Sequence, residues 1–169
     1  MDIRTAIARR SVRAFEATPI PTSTVELIVD QARWTGSARN RQPWRFVAVY
    51  DQGIRTRLSR LGAYAGHLES APVVLVLLSP TTPQLDTGFD LGRVAQSITL
   101  AAAEQGLGCC ITSLYPENNA RTAAELVSAD PEWTAHHAIA VGYPAARPSG
   151  GRSAIPLGRL STAETLRFL

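Results

Sequence analysis

The chain has 169 residues, enough for one domain with a real hydrophobic core and too few for two full ones. Hydrophobic residues make up 45% of it and charged residues 18%, a balance that excludes wholesale disorder. All 17 basic residues are arginine, and 11 of them lie in residues 1–60, where only five acids oppose them. Such a basic region is typical of proteins that bind nucleic acid, a membrane surface or a phosphate-bearing small molecule.

No segment of the sequence is typical of a membrane span, a secretory leader or a disulfide framework. The longest apolar run, Ala71 to Leu78, has eight residues, whereas a spanning helix needs about 20. The first residues lack the apolar stretch of a secretory signal. Cys109 and Cys110 are neighbours and cannot close a loop. We therefore expect a cytoplasmic protein that has no membrane partner.

In the first part of the chain, the pattern predicts two helices and then a strand. Asp2 is a candidate cap for a short helix over 2–9. A second helix is predicted over 23–35, capped by a hydroxyl residue at 22–24 and with Trp34 as a candidate for its buried face. The elements predicted next are a strand over 44–50 and a short helix over 53–62.

In the second part of the chain, the apolar run over 73–78 predicts a strand buried on both faces. The longest predicted helix covers 89–105 and ends at Gly106. It is followed by a predicted strand over 109–114, a helix over 117–128 and a strand over 137–141. This order predicts an α+β or α/β sandwich around one sheet. The irregular tail is too long for an internal loop, so it is either frayed or lies across another surface, for which a second copy of the chain is the obvious candidate.

The common motifs of nucleophilic, phosphate-loop and metal chemistry are absent from the sequence. His136 and His137 are adjacent at the start of a strand, so their rings point to opposite faces and do not suit joint metal ligation. Cys109 and Cys110 are more typical of small buried residues than of a redox pair. Gly106-Leu107-Gly108 follows a helix and precedes a strand, the reverse of a dinucleotide fingerprint. We predict no metal site and no catalytic nucleophile.

Two loops combine arginines with hydroxyl and amide groups. Residues 9–13 read Arg-Arg-Ser-Val-Arg, and guanidinium forks match phosphate oxygens. Residues 37–44 add Ser37, Asn40 and Gln42, whose groups suit sugar hydroxyls or the edge of a heteroaromatic ring. Composition alone slightly favours the alternative that both are solvated basic loops whose amides close turns.

The order and spacing of these segments resemble the nitroreductase family of flavin enzymes. The opening match is Arg9 to Phe15, followed by Ser37-x-x-Asn40-x-Gln42-Pro43-Trp44-Arg45-Phe46; the later landmarks are residues 71–74, 90–92, 106–109 and 141–144. The resemblance covers roughly residues 4–160. It implies an α+β three-layer sandwich with a central, mostly antiparallel sheet flanked by helices. It also implies a core over 1–144 and a C-terminal extension over 145–169 that is swapped onto the partner of a homodimer.

The resemblance implies FMN bound tightly at the dimer interface. The residues expected to contact its phosphate, ribityl chain and N1/O2 edge are Arg9, Arg10, Ser11 and Arg13. Those expected to line the ring edge and ribityl chain from the other subunit are Ser37, Ala38, Asn40 and Gln42. Ser113 and Leu114 match the segment whose backbone approaches flavin N5. Arg152 matches a tail arginine that closes on the phosphate, with Arg147 as its rival.

The activity that the resemblance implies is FMN-dependent oxidoreduction by a ping-pong mechanism. NADH or NADPH would reduce FMN, and a small acceptor such as a nitroaromatic, a quinone or an activated alkene would then take the electrons. No catalytic side chain is expected, although Arg13 is a candidate cation for N1/O2. The short segments 51–69 and 79–88 leave little room for the helical excursion that covers the substrate in many members, so we expect an open pocket.

Two other functions remain open from the residues alone. The first is an FMN-binding or flavin-storage protein with little NAD(P)H turnover. The second is a nucleic-acid-binding module that uses the N-terminal arginines. The acidic remainder of the chain and the lack of a nucleic-acid motif disfavour the second, so we expect no nucleic-acid partner.

Overall fold

The computed structural model describes residues 2–146 and 158–169. In chain order the elements are α1 (Ile3–Ile7), α2 (Thr22–Ala32), β1 (Arg45–Val49), α3 (Gln52–Leu58), β2 (Val73–Pro80), α4 (Thr87–Glu104), β3 (Gly108–Ser113), α5 (Glu117–Leu126), β4 (Trp133–Gly142) and α6 (Thr162–Thr165). Short 3-10 turns lie at Ala38–Asn40 and Gly66–Leu68. In the described ranges, every helix is too short or too polar to cross a membrane. Arg147 and Arg152 fall outside the described residues.

The four strands form one antiparallel sheet in the order β1-β2-β4-β3. Strand β2 lies inside the sheet and all but its last residue are buried, as its continuous apolar sequence predicts. Successive side chains of a strand point to opposite faces, and each face carries its own hydrophobic cluster. Helices α2 and α4 pack on one face, and α3 and α5 on the other. The result is the three-layer α+β sandwich that the motif order implied.

Three details of the predicted elements are wrong. Helix α2 follows Pro21, and no side chain caps it, so the expected hydroxyl cap is absent. Because α2 ends at Ala32, Trp34 lies beyond the helix and does not continue its apolar face; its side chain is 76% exposed rather than buried. Strand β4 begins at Trp133, four residues earlier than predicted, because Thr134 and Trp133 pair with Ser79 and Pro80 of β2.

Residues 9–16, named here the docked segment, cross the end of the sheet at strands β3 and β4. The Val12 N–H donates to the carbonyl of Cys109 at 2.8 Å, and the Glu16 N–H donates to the carbonyl of Tyr143 at 2.9 Å. Phe15 forms an isolated antiparallel bridge with Pro144. These bonds use the outer edge of β3 and the end of β4, so the segment is held by backbone contacts at its middle and at its C-terminal end.

Two glycines make room for this segment. Gly108 and Gly142 are register partners in the β3–β4 ladder. A Cβ on Gly108 would overlap the side chain of Val12, and one on Gly142 would lie 2.8 Å from Cδ1 of Phe15. Because neither position leaves space for a methyl group, the docked segment can pack this closely against β3 and β4 only where both residues are glycine.

Substitution of Gly108 by Ala is expected to lower the free energy of unfolding by roughly 1–3 kcal/mol, since the added methyl must displace Val12. Gly92→Ala is the matched control, because a Cβ at Gly92 on α4 meets no atom within 4 Å. That control is expected to be neutral or to stabilise by up to about 1 kcal/mol, as Ala is the better helix former. Urea unfolding of both variants measures the difference. Equal stability of the two variants would show that the packing of Val12 does not require glycine at position 108.

Candidate functional site

The docked segment forms one wall of a cleft of about 240 Å³, named here the arginine cleft. Arg9, Arg10 and Ser11 line it from the segment, and α4 and the start of β3 line the other side. Within residues 2–146 and 158–169, no carboxylate forms a salt bridge with Arg9, Arg10 or Arg13. Exposed guanidinium groups without a carboxylate partner attract anions, and their forked donors fit phosphate oxygens.

A second cleft of about 650 Å³, named here the edge cleft, lies beside the outer edge of β3. Its lining residues are Arg13, Tyr64, Gly66, His67, Ile111, Thr112, Ser113 and Tyr115. Ile111 also lines the arginine cleft and is 40% exposed. Ile111 is thus common to the two clefts, which together are named here the groove, with Arg9 and Arg10 in the arginine cleft and Arg13 in the edge cleft.

Strand β3 presents backbone donors to this groove. The Leu114 N–H donates to the carbonyl of His136 at 2.8 Å, which fixes the phase of the β3–β4 ladder. Because alternate residues of an antiparallel edge strand face away from the partner strand, the N–H groups of Ile111 and Ser113 point to the free edge. No residue in the described ranges accepts from either group. Of the predicted pair Ser113 and Leu114, Ser113 presents its N–H to the groove, whereas Leu114 is 1% exposed and its N–H is already bonded.

The turn that precedes β2 holds the end of β3 in place. The Tyr115 N–H donates to the carbonyl of Leu61 at 3.0 Å, and the Asn119 side chain donates to the same carbonyl at 3.1 Å. A Cβ on Gly62 would overlap the carbonyl oxygen of Ser113. This close approach fixes both the Ser113 backbone and the loop that carries Tyr64 and His67.

The two thiols near the groove are not reactive groups. Burial raises the pKa of Cys109 to about 12. Burial also raises the pKa of Cys110, although the Arg13 guanidinium and the Ser11 hydroxyl partly oppose that effect. Both thiols are free and buried, in agreement with their interpretation as small core residues. Because neither forms a thiolate at neutral pH, the site does not use cysteine as a nucleophile.

His67 is the titratable group of the edge cleft whose ordinary pKa lies closest to neutrality. Burial lowers its pKa, and the nearby Arg13 guanidinium lowers it further, while the backbone of Cys110 and Tyr64 opposes these effects. Its Nε2 atom is buried and has no hydrogen-bond partner within the described part of the chain. At neutral pH the imidazole is therefore uncharged and has one nitrogen free.

The other two histidines lie apart from the groove lining. His136 bonds the Glu117 carboxylate at 2.9 Å and holds the pKa of that carboxyl below its usual range. Burial, and to a smaller degree His136, lower the pKa of His137. In residues 2–146 and 158–169, no three His, Cys, Asp or Glu side chains are grouped as metal ligands.

The loop over 37–42 is anchored by a buried carboxylate on α4. Asp90 is 1% exposed, and its Oδ2 accepts the Ala38 N–H at 3.0 Å. The Ser37 hydroxyl accepts the Gln42 N–H at 2.9 Å, which closes the loop. Three residues have left-handed backbone, namely Arg39 (φ 52°), Asn40 (φ 54°) and Gln42 (φ 49°). Such conformations cost free energy and persist where surrounding contacts impose them, often at binding sites.

The structure brings together only some of the residues predicted from the motifs. Arg9, Arg10, Ser11, Arg13 and Ser113 lie along one groove. None of the predicted loop residues Ser37, Ala38, Asn40 and Gln42 lines either cleft of the same chain. Arg147 and Arg152 lie outside the described residues, so the choice between them stays a prediction.

The motif search did not single out several residues of these two regions, four of which matter to the geometry. Tyr64, His67 and Ile111 line the groove, and Asp90 anchors the loop over 37–42. Asp90 stood within the matched landmark at 90–92, and an acid in the first turn of a helix was its signal. The remaining three carry no local pattern, because only the fold places them beside Arg13.

Comparison with known proteins agrees with the fold and the motif order. A model of the Nitroreductase family matches residues 6–65 and 59–143 of the chain. A relative from Methanothermobacter thermautotrophicus, provisionally named NADH dehydrogenase/NAD(P)H nitroreductase, is 29% identical over 153 residues, which are 88% of this chain and 80% of that protein. The NADPH-flavin oxidoreductase of Vibrio harveyi is 29% identical over 121 residues, 63% of this chain and 50% of that protein. The solved structure of an FMN-dependent nitroreductase from Clostridium difficile superposes with a TM-score of 0.76 at 20% identity, covering 90% of this chain and 96% of that one, which shows a shared fold.

Replacement of Asp90 by Ala is expected to destabilise the protein by about 1.5–3 kcal/mol, because the Ala38 N–H then loses a charge-assisted bond. Asp30→Ala is the control, since that carboxylate is 57% exposed and pairs only with Arg33 on the surface, a contact worth about 0–1 kcal/mol. Hydrogen exchange at residues 36–42 should accelerate in the Asp90 variant alone. Unchanged exchange there would show that the loop does not depend on Asp90.

Proposed function

The chain belongs to the nitroreductase family, and from this membership we propose that it is an FMN-dependent oxidoreductase. It takes hydride from NADH or NADPH and delivers the electrons to a small acceptor such as a nitroaromatic, a quinone or an activated alkene. The observation that carries the proposal is the groove beside β3, which joins unpaired arginines to a free strand edge. The names of the Methanothermobacter and Vibrio relatives support the donor and a flavin.

The donor set of the groove fits FMN at each end. Arg9, Arg10 and Ser11 offer guanidinium and hydroxyl donors to the phosphate and the ribityl chain. Arg13 lines the neighbouring cleft, where it would meet the N1/O2 edge of the ring. The free N–H of Ser113 is the backbone group that suits N5. All of these donors belong to one chain, so a single copy would hold the phosphate, the ribityl chain and the N1/O2 and N5 positions of the ring.

When bound, FMN supplies the hydride chemistry, accepting two electrons at N5 and passing them on. The protein then has to bind, orient and stabilise charge, and its residues match that task. A guanidinium group is a fixed positive charge in proteins, so Arg13 would stabilise negative charge that develops beside it. The exposed Ile111 side chain provides an apolar surface between the two clefts.

We further propose that the functional unit is a homodimer. The 37–42 loop carries Ser37, Ala38, Asn40 and Gln42, yet it lines neither cleft of its own chain. The polar groups of this strained, anchored loop can meet FMN if they come from a second copy. The extension over 145–169 would reach across the partner, with Arg152 or Arg147 near the phosphate. The chain is bonded to its own core as far as Ala145, whose N–H donates to the carbonyl of Ala14.

One observation favours a second candidate function, flavin binding with little NAD(P)H turnover. The segment between β2 and α4 spans only residues 81–86, so no inserted helix follows β2 there to cover the edge cleft. Tyr64 at the cleft is 81% exposed. An open cleft gives less control over a nicotinamide than a covered one. The two functions differ in one measurable property, which is the rate at which NADH or NADPH reduces the bound flavin.

An anaerobic absorbance spectrum, recorded before and after addition of NADH and then NADPH, tests the proposal. We expect a flavin spectrum that bleaches quickly with at least one donor. A flavin spectrum that persists with both donors would favour flavin storage. Protein that is colourless and fails to take up added FMN would overturn both functions.

In the same assay Arg13→Ala should bind FMN roughly 10- to 100-fold more weakly, because a charged hydrogen bond is lost, and should be reduced more slowly.

Arg57→Ala is the matched control for the Arg13 variant. Arg57 is exposed on α3, has no salt bridge within the described ranges and lines neither cleft. Its removal changes the net charge by the same amount, so it should leave FMN affinity nearly unchanged. An equal loss of affinity in both variants would mean that Arg13 acts only through the overall charge of the protein.

Deletion of residues 147–169 should reduce the fraction of dimer or the retention of FMN. The deletion keeps Ala145, so it preserves the bond to Ala14 that closes the core. Sedimentation of the full chain and the shortened chain at equal concentrations measures the oligomeric state, and absorbance measures bound FMN. A shortened protein that remains yellow and fully dimeric would show that the extension serves neither role.

A further inference from the structure

His67 is a titratable side chain of the groove for which the proposed reaction has so far no use. It lies on the 3-10 turn before β2 and lines the edge cleft together with Arg13 and Ser113. Arg13 is near enough to depress the pKa of the imidazole, so both groups face the same end of the groove. The close approach of Gly62 to the Ser113 carbonyl holds this turn against β3.

The protein groups around His67 do not stabilise a charge on its imidazole, so a ligand in the edge cleft would determine its protonation state. Its Nε2 atom is buried and has no partner within the described part of the chain. The ionisable side chains that line the edge cleft with it are Arg13 from the docked segment, Tyr64 from the loop before its turn and Tyr115 after β3, and Cys110 of β3 contributes its backbone. No Asp or Glu among the described residues lines the edge cleft. The imidazole therefore faces a cation and no compensating anion.

We propose that His67 takes up a proton when the FMN in this groove is reduced, and returns it when the acceptor is reduced. This inference rests on the proposed function. NAD(P)H supplies two electrons and one proton as hydride to N5, and negative charge is added at the N1/O2 edge beside Arg13. The second proton comes from solvent and stays on the imidazole. In the second half-reaction the acceptor receives two electrons and both protons, which completes the balance for a quinone or a nitro group.

The physical reason is that reduction of FMN adds negative charge close to His67. Before reduction, burial and the Arg13 guanidinium both disfavour the imidazolium. Negative charge beside Arg13 offsets the effect of that guanidinium, so the pKa of His67 rises and the ring binds a proton. Arg13 cannot respond in this way, because a guanidinium group is a fixed positive charge in proteins. Histidine is the side-chain type that ordinarily changes its charge near neutral pH, and burial raises the pKa of Cys110. His67 is thus the side chain of the edge cleft that can gain or lose a proton as bound FMN is reduced or reoxidised.

The midpoint potential of the bound FMN, measured from pH 5.5 to 8.5, tests the proposal. Each proton taken up with two electrons changes the potential by about 30 mV per pH unit, since tenfold in equilibrium constant is 29.6 mV for such a couple. In the wild-type protein the slope should approach about 59 mV per pH unit, two protons per two electrons, between the pKa values of His67 in the oxidised and reduced states. His67→Gln should show about 30 mV per pH unit throughout that range.

His67→Lys and His136→Gln complete the design. Lysine keeps a positive charge across the range, so its slope should be shallow while its potential lies above that of the Gln variant. His136 bonds Glu117 and does not line the edge cleft, so His136→Gln should keep the steep wild-type slope. Circular dichroism and FMN content confirm that each variant is folded and loaded.

The outcomes separate this inference from the function on which it rests. FMN that binds with the same slope in wild type and His67→Gln would overturn the role of His67 and leave the oxidoreductase proposal intact. Loss of the steep slope in His136→Gln as well would also overturn it, because the effect would not be local. A wild-type chain that fails to bind FMN would overturn the proposed function, and the inference with it.

Discussion

The contact between the docked segment and the paired glycines of β3 and β4 is the constraint on which the candidate site depends. Gly108 and Gly142 face each other in the ladder; Val12 occupies the space that a Cβ on Gly108 would fill, and Phe15 and Pro72 share the space that one on Gly142 would fill. The bond from Val12 to Cys109 then uses the outer edge of β3 at its first residues only. As a result, Arg9 and Arg10 stand beside the start of that edge and Arg13 further along it, while the N–H groups of Ile111 and Ser113 have no acceptor in the described ranges.

This arrangement explains how a site with strong charge can form without a buried ion pair. The arginines lie on an exposed segment, where hydration lowers the cost of keeping them charged and unpaired. They gain a full interaction only when an anion reaches them, so their charge favours binding more than it favours folding. In contrast, the charged groups that stabilise the fold are buried and bonded, as Asp90 is to Ala38 and Arg55 is to the carbonyls of Glu69 and Ala71.

The residues of the groove also indicate which part of the proposed reaction the protein would perform and which part its proposed cofactor would perform. Neither thiol is reactive, because burial raises the pKa of both. The described residues form no metal site. What the groove offers is a fixed cation at Arg13, a neutral imidazole at His67 and backbone donors on β3. Such a set suits a ligand that carries its own chemistry and needs charge compensation from the protein. The incomplete contact of the 37–42 loop with its own chain is consistent with a site that two copies share.

The sequence by itself determined the family, the element order and most of the groove's cationic residues. Continuous apolar runs and helical periodicity are local properties, so β2 and α4 could be predicted within a few residues of their true bounds. The spacing of Arg9 to Arg13 likewise identified one end of the site. Tertiary structure alone decided the rest. The early start of β4 depends on pairing with β2, and the place of His67 beside Arg13 depends on a turn that contacts β3. The choice of Ser113 over Leu114 as donor depends on ladder phase, because hydrogen bonding between strands is set by register and not by residue type.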